Sequence, residues 1–238
     1  ATPAAMTAAV ANLRRHGLIM LGVNTLETLP QLDLVIFDKT GTLTQGRPTL
    51  TDFLDAASGG AAEAAPEVLG LVAAAESRSE HPISAAIVRA AKERGLELPA
   101  VDSFSAEPGF GVEAETGGHR VQVGADRYME RLGLDVSGVR DAAERLASDG
   151  KTPLFAAIDG KLAAVIGVSD SLRDGSAEAV AVLHSLGLEV AILTGDNQRT
   201  AQAIAREVGI DRVLAEVLPN QKADEVARLQ AAGRKVAF

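Results

Sequence analysis

The sequence predicts an α/β protein whose parallel sheet is interrupted by a second, α+β unit. Three observations favour this class. The run Leu32–Phe37 is short, apolar and followed at once by polar residues, as is typical of a buried parallel strand. From residue 176 onward, strand and helix patterns alternate, which indicates a parallel sheet covered by helices. Between about residues 48 and 156 the pattern differs, so a separate unit is expected there.

The elements of the second unit are marked by breaker and cap residues. Pro82 suits the first position of a helix, which places His81 near its N-cap, and Gly95 closes the same helix. In chain order, the pattern predicts helices over 66–76 and 82–94, strands with turns over 101–124, and a helix over 139–148.

After this unit the chain returns to the strand-and-helix alternation of the sheet domain. Two apolar runs flank Asp159-Gly160, which is a strong hairpin signal. The elements predicted next are a helix over 176–185, a strand over 189–193, a helix to about 208, a strand over 213–217, a helix over 219–232 and a strand over 234–238. We therefore predict a sheet domain made of residues 24–47 and 157–238, with residues 48–156 inserted.

The composition excludes several classes of function. Apolar residues make up 47% of the 238 residues, enough for one large domain or two small ones. The net charge of −9 argues against a nucleic-acid partner, because phosphate backbones are bound by clustered Lys and Arg. A sequence without cysteine has no disulfide framework and no thiolate metal site. No stretch reaches the roughly 18 uninterrupted apolar residues of a membrane span.

Polar residues that follow predicted strands are the candidates for chemistry, because ligands of parallel α/β sheets bind at the carboxyl ends of the strands. A carboxylate there can accept a phosphoryl group and form an aspartyl phosphate. Magnesium and a lysine would offset the charge, and a threonine hydroxyl could bind the phosphoryl oxygens. The candidates are Asp38, Lys39, Thr40 and Thr42 after one strand, Thr194, Gly195 and Asp196 after another, Asp170 and Arg173 after a third, and Lys222 at a helix start.

The run Asp38-Lys39-Thr40-Gly41-Thr42-Leu43 resembles the phosphorylation signature of the P-type ATPases. Thr194-Gly195-Asp196-Asn197 resembles the second phosphorylation motif of that family, and Leu218-Pro219 followed by Lys222 resembles the segment with its conserved lysine. The resemblance covers essentially the whole chain. It implies a haloacid-dehalogenase-like Rossmannoid sheet, with catalytic roles for Asp38, Lys39, Thr40, Thr194, Gly195, Asp196 and Lys222.

The inserted unit resembles the nucleotide-binding domain of the heavy-metal-transporting subclass. The matching residues are Glu76, then Ser79-Glu80-His81-Pro82, and later Pro108-Gly109-Phe110-Gly111. By this resemblance, Glu76 and His81 hold the adenine end of ATP, and the glycines allow close approach of the backbone. The implied nucleotide-binding residues are Glu76, Ser79, His81, Pro82, Gly109 and Gly111.

This sequence departs from the family pattern at two positions. Ser171 replaces the proline of the Asp-Pro-x-Arg element that Asp170 and Arg173 otherwise resemble. Gly124 is followed by Ala125, where the family often has asparagine, so that nucleotide contact stays unassigned.

The resemblance also implies cofactors and partners. Magnesium would be bound by Asp38 and the Thr40 carbonyl, with its remaining ligands in a loop expected beyond Phe238. The chain is expected to be the cytoplasmic portion of an integral membrane protein, with residues 1–23 as a membrane-proximal helical segment. Its expected partners are ATP, an actuator domain of the same parent chain, and a heavy-metal cation bound in membrane helices. The subclass suggests copper(I) first, with zinc, cadmium or lead as alternatives.

Two alternative functions stay open at this point. Soluble phosphatases of the haloacid dehalogenase superfamily share the aspartate nucleophile, but they usually have a second aspartate two residues later as general acid. This chain has Thr40 there, which cannot protonate a leaving group, so a slowly hydrolysed aspartyl phosphate is expected. The other alternative is a nucleotide-binding or regulatory module without catalytic activity.

Overall fold

The structure, a computed structural model, describes residues 3–15, 18–19, 25 and 28–238, and within them it contains two separate β-sheets. One sheet is parallel and the other is antiparallel and inserted into the first domain, so the α/β class with an inserted α+β unit is confirmed. Part of the expected segment 1–23, and the expected start of the sheet domain near residue 24, lie outside the described residues.

The parallel sheet has the strand order β10-β1-β8-β9. Its strands are β1 (Leu34–Asp38), β8 (Glu189–Leu193), β9 (Arg212–Leu214) and β10 (Val236–Ala237), and its helices are α6 (Ser176–Ser185), α7 (Gln198–Val208) and α8 (Lys222–Ala231). The two central strands bury apolar side chains on both faces, for example Leu34 and Ile192, because helices cover both sides. Strand β9 ends at Leu214 rather than at the expected residue 217, since Glu216 has a positive φ of 60° that breaks the extended chain.

The inserted sheet is antiparallel, with the order β2-β7-β6-β5-β4-β3. Its strands are β2 (Thr49–Asp55), β3 (Val101–Glu107), β4 (Gly111–Thr116), β5 (His119–Gly124), β6 (Thr152–Ile158) and β7 (Lys161–Ser169). Its helices are α2 (Pro66–Glu76), α3 (Pro82–Glu93), α4 (Asp126–Arg131) and α5 (Arg140–Ser148). Alternate residues of one strand enter different cores: Ile166 packs with α2 and α3, and Val165 packs with α4 and α5.

The predicted boundary between residues 156 and 157 is wrong. The hairpin of β6 and β7 was expected, but both strands belong to the inserted sheet, because β7 pairs with β2 and β6 pairs with β5. Splitting the chain at residue 157 would cut through this hairpin. The inserted sheet therefore runs from Thr49 to Ser169.

The amino-terminal helix α1 (Pro3–Arg15) lies within the segment 1–23 that is expected to be helical. Among the residues that the structure describes, no helix is both long enough and apolar enough to cross a membrane.

Candidate active site

Asp38 is the last residue of β1, a central strand of the parallel sheet. The chain turns sharply after it, and Gly41 adopts a φ of 78°, in the left-handed region that favours glycine. The Asp38 side chain is 40% exposed, so its carboxylate is open to a ligand. The Nζ atom of Lys222, at the start of α8, lies 2.8 Å from Asp38 Oδ1. The structure thus pairs the predicted nucleophile with the predicted lysine, 184 residues apart in the chain.

A second ion pair lies beside the first and is almost fully buried. Lys39 Nζ is 2.5 Å from Asp196 Oδ2, and both side chains are only 9% exposed. The Asp196 carboxylate also accepts hydrogen bonds from the hydroxyls of Thr194 (2.7 Å) and Thr152 (2.8 Å). Burial by itself would raise the pKa of Asp196, but the charge of Lys39 and these hydrogen bonds outweigh it and lower the pKa. Asp196 is therefore held as a carboxylate that neutralises Lys39.

The loop after β8 is rigidly placed. The Thr194 amide donates to Leu214 O, and the Asn197 side chain accepts from Thr200 N to cap α7. These contacts bring together five of the predicted site residues, which are Asp38, Lys39, Thr194, Asp196 and Lys222. Thr40 lies in the loop after β1, and Gly195 lies in the loop after β8. A Cβ atom on Gly195 would make only an ordinary contact, 3.5 Å from Val217 O, so its predicted role stays a prediction.

Asp170 and Arg173 contact the segment after Asp38, although they do not follow a strand of the parallel sheet as the sequence predicts. Strand β7 is not in the parallel sheet, so the expectation that they follow one of its strands is wrong. Asp170 instead lies where the chain crosses between the domains, and its carboxylate accepts from Thr44 Oγ1 (2.6 Å) and Arg47 N (3.0 Å). Arg173 donates to Gly41 O at 2.9 Å. Both residues thus contact the chain segment that follows Asp38.

Glu76, at the end of α2, is the most perturbed carboxyl of the predicted nucleotide site. It is 5% exposed, and burial raises its pKa to about 7, although a hydrogen bond from Ser84 acts in the opposite direction. Glu76 and Ser79 line one cavity of about 420 Å³. The arrangement leaves a carboxyl that changes its charge near neutral pH beside a space large enough for part of a nucleotide.

His81 caps α3 as the sequence predicts, with its Nδ1 atom accepting from Ile83 N at 3.2 Å and Pro82 opening the helix. The residue is exposed at the domain surface, yet partial loss of hydration lowers the pKa of its imidazole. The carboxylate of Asp196 acts to raise that pKa, and Lys39 acts to lower it. His81 therefore lies near enough to the ion pair of Lys39 and Asp196 for their charges to act on its imidazole.

The two predicted loop glycines have different structural reasons for lacking a side chain. A Cβ atom on Gly111 would lie 2.2 Å from Val123 O, so the pairing of β4 with β5 already excludes it. Gly109 has a φ of 81°, and a Cβ atom there would lie 2.7 Å from Leu218 Cδ2 in the parallel-sheet domain. The Gly109 loop therefore lies against the Leu218-Pro219 segment that precedes Lys222.

Sequence reasoning missed three side chains that support the site. Thr152, on β6 of the inserted domain, donates to Asp196 across the domain boundary. Ser84 donates to Ser79 Oγ at 2.8 Å and acts to lower the pKa of Glu76. Arg127 holds the glycine loop through its Nε atom, 2.9 Å from Gly109 O. Each is an ordinary polar residue within or beside a regular element, and the sequence contains no local signal for its partner.

The predicted magnesium site contains oxygen donors, which suit Mg²⁺, but the described residues supply few of them. Asp38 offers carboxylate oxygens at the open edge of the sheet, and oxygen is the donor that Mg²⁺ prefers. The described part of the chain contains no cluster of three or more His, Cys, Asp or Glu residues that could hold a metal ion. The residues present can therefore contribute to a magnesium site that phosphate and water oxygens help to complete.

Comparison with known families gives a match over most of the chain. Residues 32–238 match the model for haloacid dehalogenase-like hydrolases. The chain is 51% identical over its whole length to "Copper-transporting ATPase 1" of Rhizobium meliloti (strain 1021), and 43% identical to "Copper-exporting P-type ATPase" of Bacillus subtilis (strain 168). It spans 28% and 29% of the lengths of these two relatives.

Two solved structures share the fold. The catalytic domain of the CPx-ATPase CopB-B is similar with a TM-score of 0.74 at 26% identity, covering 95% of this chain and 78% of that one. A zinc-transporting PIB-type ATPase in its E2.Pi state is similar with a TM-score of 0.63 at 34% identity, covering 98% of this chain and 37% of that one. The expectation of a haloacid-dehalogenase-like sheet with an inserted domain is confirmed.

Proposed function

This chain belongs to the haloacid dehalogenase-like hydrolase family, as a segment of a P-type ATPase, and we propose that it binds ATP and accepts the γ-phosphoryl group on Asp38. The observation that carries the proposal is the position of the Asp38 carboxylate. It is open to solvent at the carboxyl end of a central strand, with the Lys222 ammonium 2.8 Å away.

The proposed reaction is an in-line displacement at the γ-phosphorus. An oxygen of Asp38 attacks, a new O–P bond forms, the bond from the γ-phosphorus to its bridging oxygen breaks, and ADP leaves with that oxygen. Lys222 stabilises the negative charge that gathers on the transferred group. Lys39 and Asp196 form a buried ion pair beside Asp38, and their charges neutralise each other. The Thr194 hydroxyl donates to Asp196 and so holds the loop after β8 in place.

ATP would lie between the two domains. We assign its adenine end to the cavity lined by Glu76 and Ser79, beside the turn between α2 and α3 that contains His81 and Pro82. The loop from Gly109 to Gly111 would approach the remainder of the nucleotide, supported by its contact with Leu218. Asp38 and the Thr40 carbonyl would hold Mg²⁺, which supplies charge neutralisation on the phosphates when bound.

The relatives named above carry copper or zinc in their names, so we propose that phosphorylation of this chain drives transport of such a heavy-metal cation, copper(I) first. The cation would bind in a membrane domain, and an actuator domain of the same parent would act on the phosphorylated aspartate. On this proposal the chain is the cytoplasmic portion of an integral membrane protein.

The test is formation of an acid-stable phosphoenzyme from radiolabelled ATP and magnesium, measured in membranes with the full-length protein. Asp38→Asn keeps the shape of the side chain and removes the nucleophile, so the label should fall to background. Lys222→Ala should slow labelling by roughly 100-fold or more, as loss of a charge-stabilising donor does in other active sites.

Asp174→Asn is the matched control, because this exposed aspartate lies outside the site. It should label at the wild-type rate. Undiminished labelling of Asp38→Asn would show that another residue is the acceptor.

A further inference from the structure

The inserted domain rests on helix α7 of the parallel-sheet domain through the α5–β6 corner (residues 144–152). The Glu144 carboxylate forms an ion pair with Arg199 on α7, at a distance of 3.1 Å. A Cβ atom on Gly150 would lie 3.3 Å from Ile204 Cδ1, so the backbone of the corner approaches α7 closely. The inserted domain is therefore seated on the helix that follows the Asp196 loop.

Two hydrogen bonds from consecutive residues hold the α5–β6 corner at the start of α7. Lys151 O accepts from the hydroxyl of Thr200 at 2.7 Å, and Thr200 is fully buried. The next residue, Thr152, donates its hydroxyl to Asp196 Oδ1 at 2.8 Å. Both bonds cross from the inserted domain into the stretch 196–200, so the contact between the domains reaches the candidate active site itself.

The two carboxylate oxygens of Asp196 have different partners. Oδ2 lies 2.5 Å from Lys39 Nζ and accepts from the Thr194 hydroxyl at 2.7 Å. In the part of the chain that the structure describes, Oδ1 accepts its hydrogen bond from Thr152. A carboxylate held through one oxygen can turn about its bond to Cβ, whereas partners on both oxygens fix its plane. The Asp196 side chain is only 9% exposed, so water is poorly placed to replace Thr152.

The position of Lys39 links this carboxylate to the proposed reaction. Lys39 directly follows Asp38, so the Asp196 carboxylate that holds its ammonium also fixes the chain beside the proposed acceptor. Phosphoryl transfer depends mostly on positioning and charge neutralisation. A misplacement of about 1 Å can cost roughly 100-fold in rate. A side chain that fixes Asp196 can therefore control the rate without touching ATP.

We propose that Thr152 is a positioning residue for phosphorylation of Asp38. From the inserted domain it fixes the Asp196 carboxylate, and through it Lys39, so the acceptor site is complete only while the α5–β6 corner rests on α7. This inference rests on the proposed function. What it adds is that the inserted domain completes the acceptor site as well as holding the nucleotide.

The experiment measures the rate of phosphoenzyme formation by the full-length protein over a range of ATP concentrations. Thr152→Val keeps the shape of the side chain and removes the donor, so the maximal rate should fall roughly tenfold or more, the effect of one hydrogen bond to a charged group. The ATP concentration that gives half the maximal rate should change less than about twofold, because Thr152 does not line the cavity assigned to adenine. Thr152→Ser keeps the hydroxyl and should stay within about threefold of the wild-type rate.

Thr116→Val is the matched control for loss of stability. The Thr116 hydroxyl is buried in the same domain, and its hydrogen bond to Ala100 O, at 2.9 Å, stays within that domain. Its removal weakens the fold of the inserted domain without changing a contact of Asp196. The maximal rate of this variant should therefore equal that of wild type.

The outcomes separate this inference from the proposed function. Thr152→Val labelling at the wild-type rate, Thr152→Ser as slow as Thr152→Val, or Thr116→Val as slow as Thr152→Val would each overturn the positioning role. A change confined to the ATP concentration for half-maximal rate would also overturn it. In all four cases the wild type still labels Asp38, so the proposed function stands. A wild type that forms no phosphoenzyme, or a label that persists in Asp38→Asn, would overturn the proposed function itself.

Discussion

Replacing Glu76 with glutamine should make the stability of the inserted domain less dependent on pH. In the folded chain the pKa of Glu76 is raised from its ordinary value of 4.5 to about 7, first because burial disfavours the charged form. Glutamine has the same shape as the protonated acid and cannot ionise. The two proteins should therefore be about equally stable in acid and differ at neutral and alkaline pH.

The magnitude follows from linkage between proton binding and folding. Between about pH 4.5 and pH 7, the unfolded chain loses the Glu76 proton before the folded chain does, so wild-type stability falls as pH rises and levels off above pH 7. Each pH unit across this window corresponds to about 1.4 kcal/mol. Glu76→Gln should consequently be more stable than wild type by about 3 kcal/mol at pH 8, and by less than about 1 kcal/mol at pH 5.

The sequence provides a convenient probe for this measurement. Tyr128 is the only tyrosine and tryptophan is absent. Tyr128 is part of α4 and packs in the core of the inserted domain with residues of α5. Tyrosine fluorescence during urea titration therefore reports unfolding of the domain that contains Glu76. The shift of the unfolding midpoint between pH 5 and pH 8, compared for the two proteins, gives the quantity needed.

Glu80→Gln is the matched control, because this exposed carboxylate lies in the same turn. It should change stability by less than about 0.5 kcal/mol at either pH. A Glu76→Gln midpoint that differs from wild type by the same amount at pH 5 and pH 8 would refute the account of a buried carboxyl that is neutral in acid.

Three further substitutions test other parts of the structure. Thr152→Val should cost about 1.5–3 kcal/mol in urea unfolding near neutral pH, because it removes a hydrogen bond to the buried Asp196 carboxylate. Folding lowers the pKa of Asp196 from its ordinary value of 3.8, so this cost should fade only as pH falls through the lowered pKa, and a cost that is already absent at about pH 5 would contradict the assignment. Gly111→Ala should destabilise the inserted domain by about 3 kcal/mol or more, because its Cβ atom would overlap backbone of β5. Gly138→Ala is the control, because a Cβ atom there meets open space and should change stability little; tyrosine fluorescence during urea titration measures both. Lys222→Arg should keep a positive charge but lose the 2.8 Å fit to Asp38, so phosphoenzyme formation in full-length protein should fall to a rate between those of wild type and Lys222→Ala.

The sequence predicts the place of Asp38 at the end of a central parallel strand well because the information there is local. An apolar strand followed by a polar loop indicates the carboxyl edge of a parallel sheet, and the alternation after residue 176 indicates the rest of that sheet. The domain boundary was harder to predict, because a hairpin pattern shows that two strands pair with each other and not which sheet they join. Strand β7 finds its second partner in β2, more than 100 residues earlier in the chain.

The supporting residues were beyond sequence reasoning for a similar reason. Ser84 on a helix and Thr152 on a strand have no unusual neighbours in sequence, and their significance depends on which side chain folding brings to them. The predicted role of Gly111 in nucleotide binding stays a prediction, and the structure adds a packing reason for glycine there, since backbone of β5 occupies the space of its Cβ atom.

The crossing point between the domains has a consequence for how this chain folds. Thr44 forms an isolated antiparallel bridge with Leu172, and Gln45 N donates to Ser171 O at 2.9 Å. Asp170, on the returning segment, accepts from Thr44 Oγ1 and Arg47 N on the outgoing segment. The two ends of the insert therefore leave the host domain side by side. Closing a flexible loop of more than 100 residues would cost the parallel-sheet domain conformational entropy when it folds. A folded insert whose two ends are adjacent behaves like a short loop, so that entropic cost is smaller. The inserted domain can thus gain or lose residues at its far end without changing the geometry in which Asp38 meets Lys222.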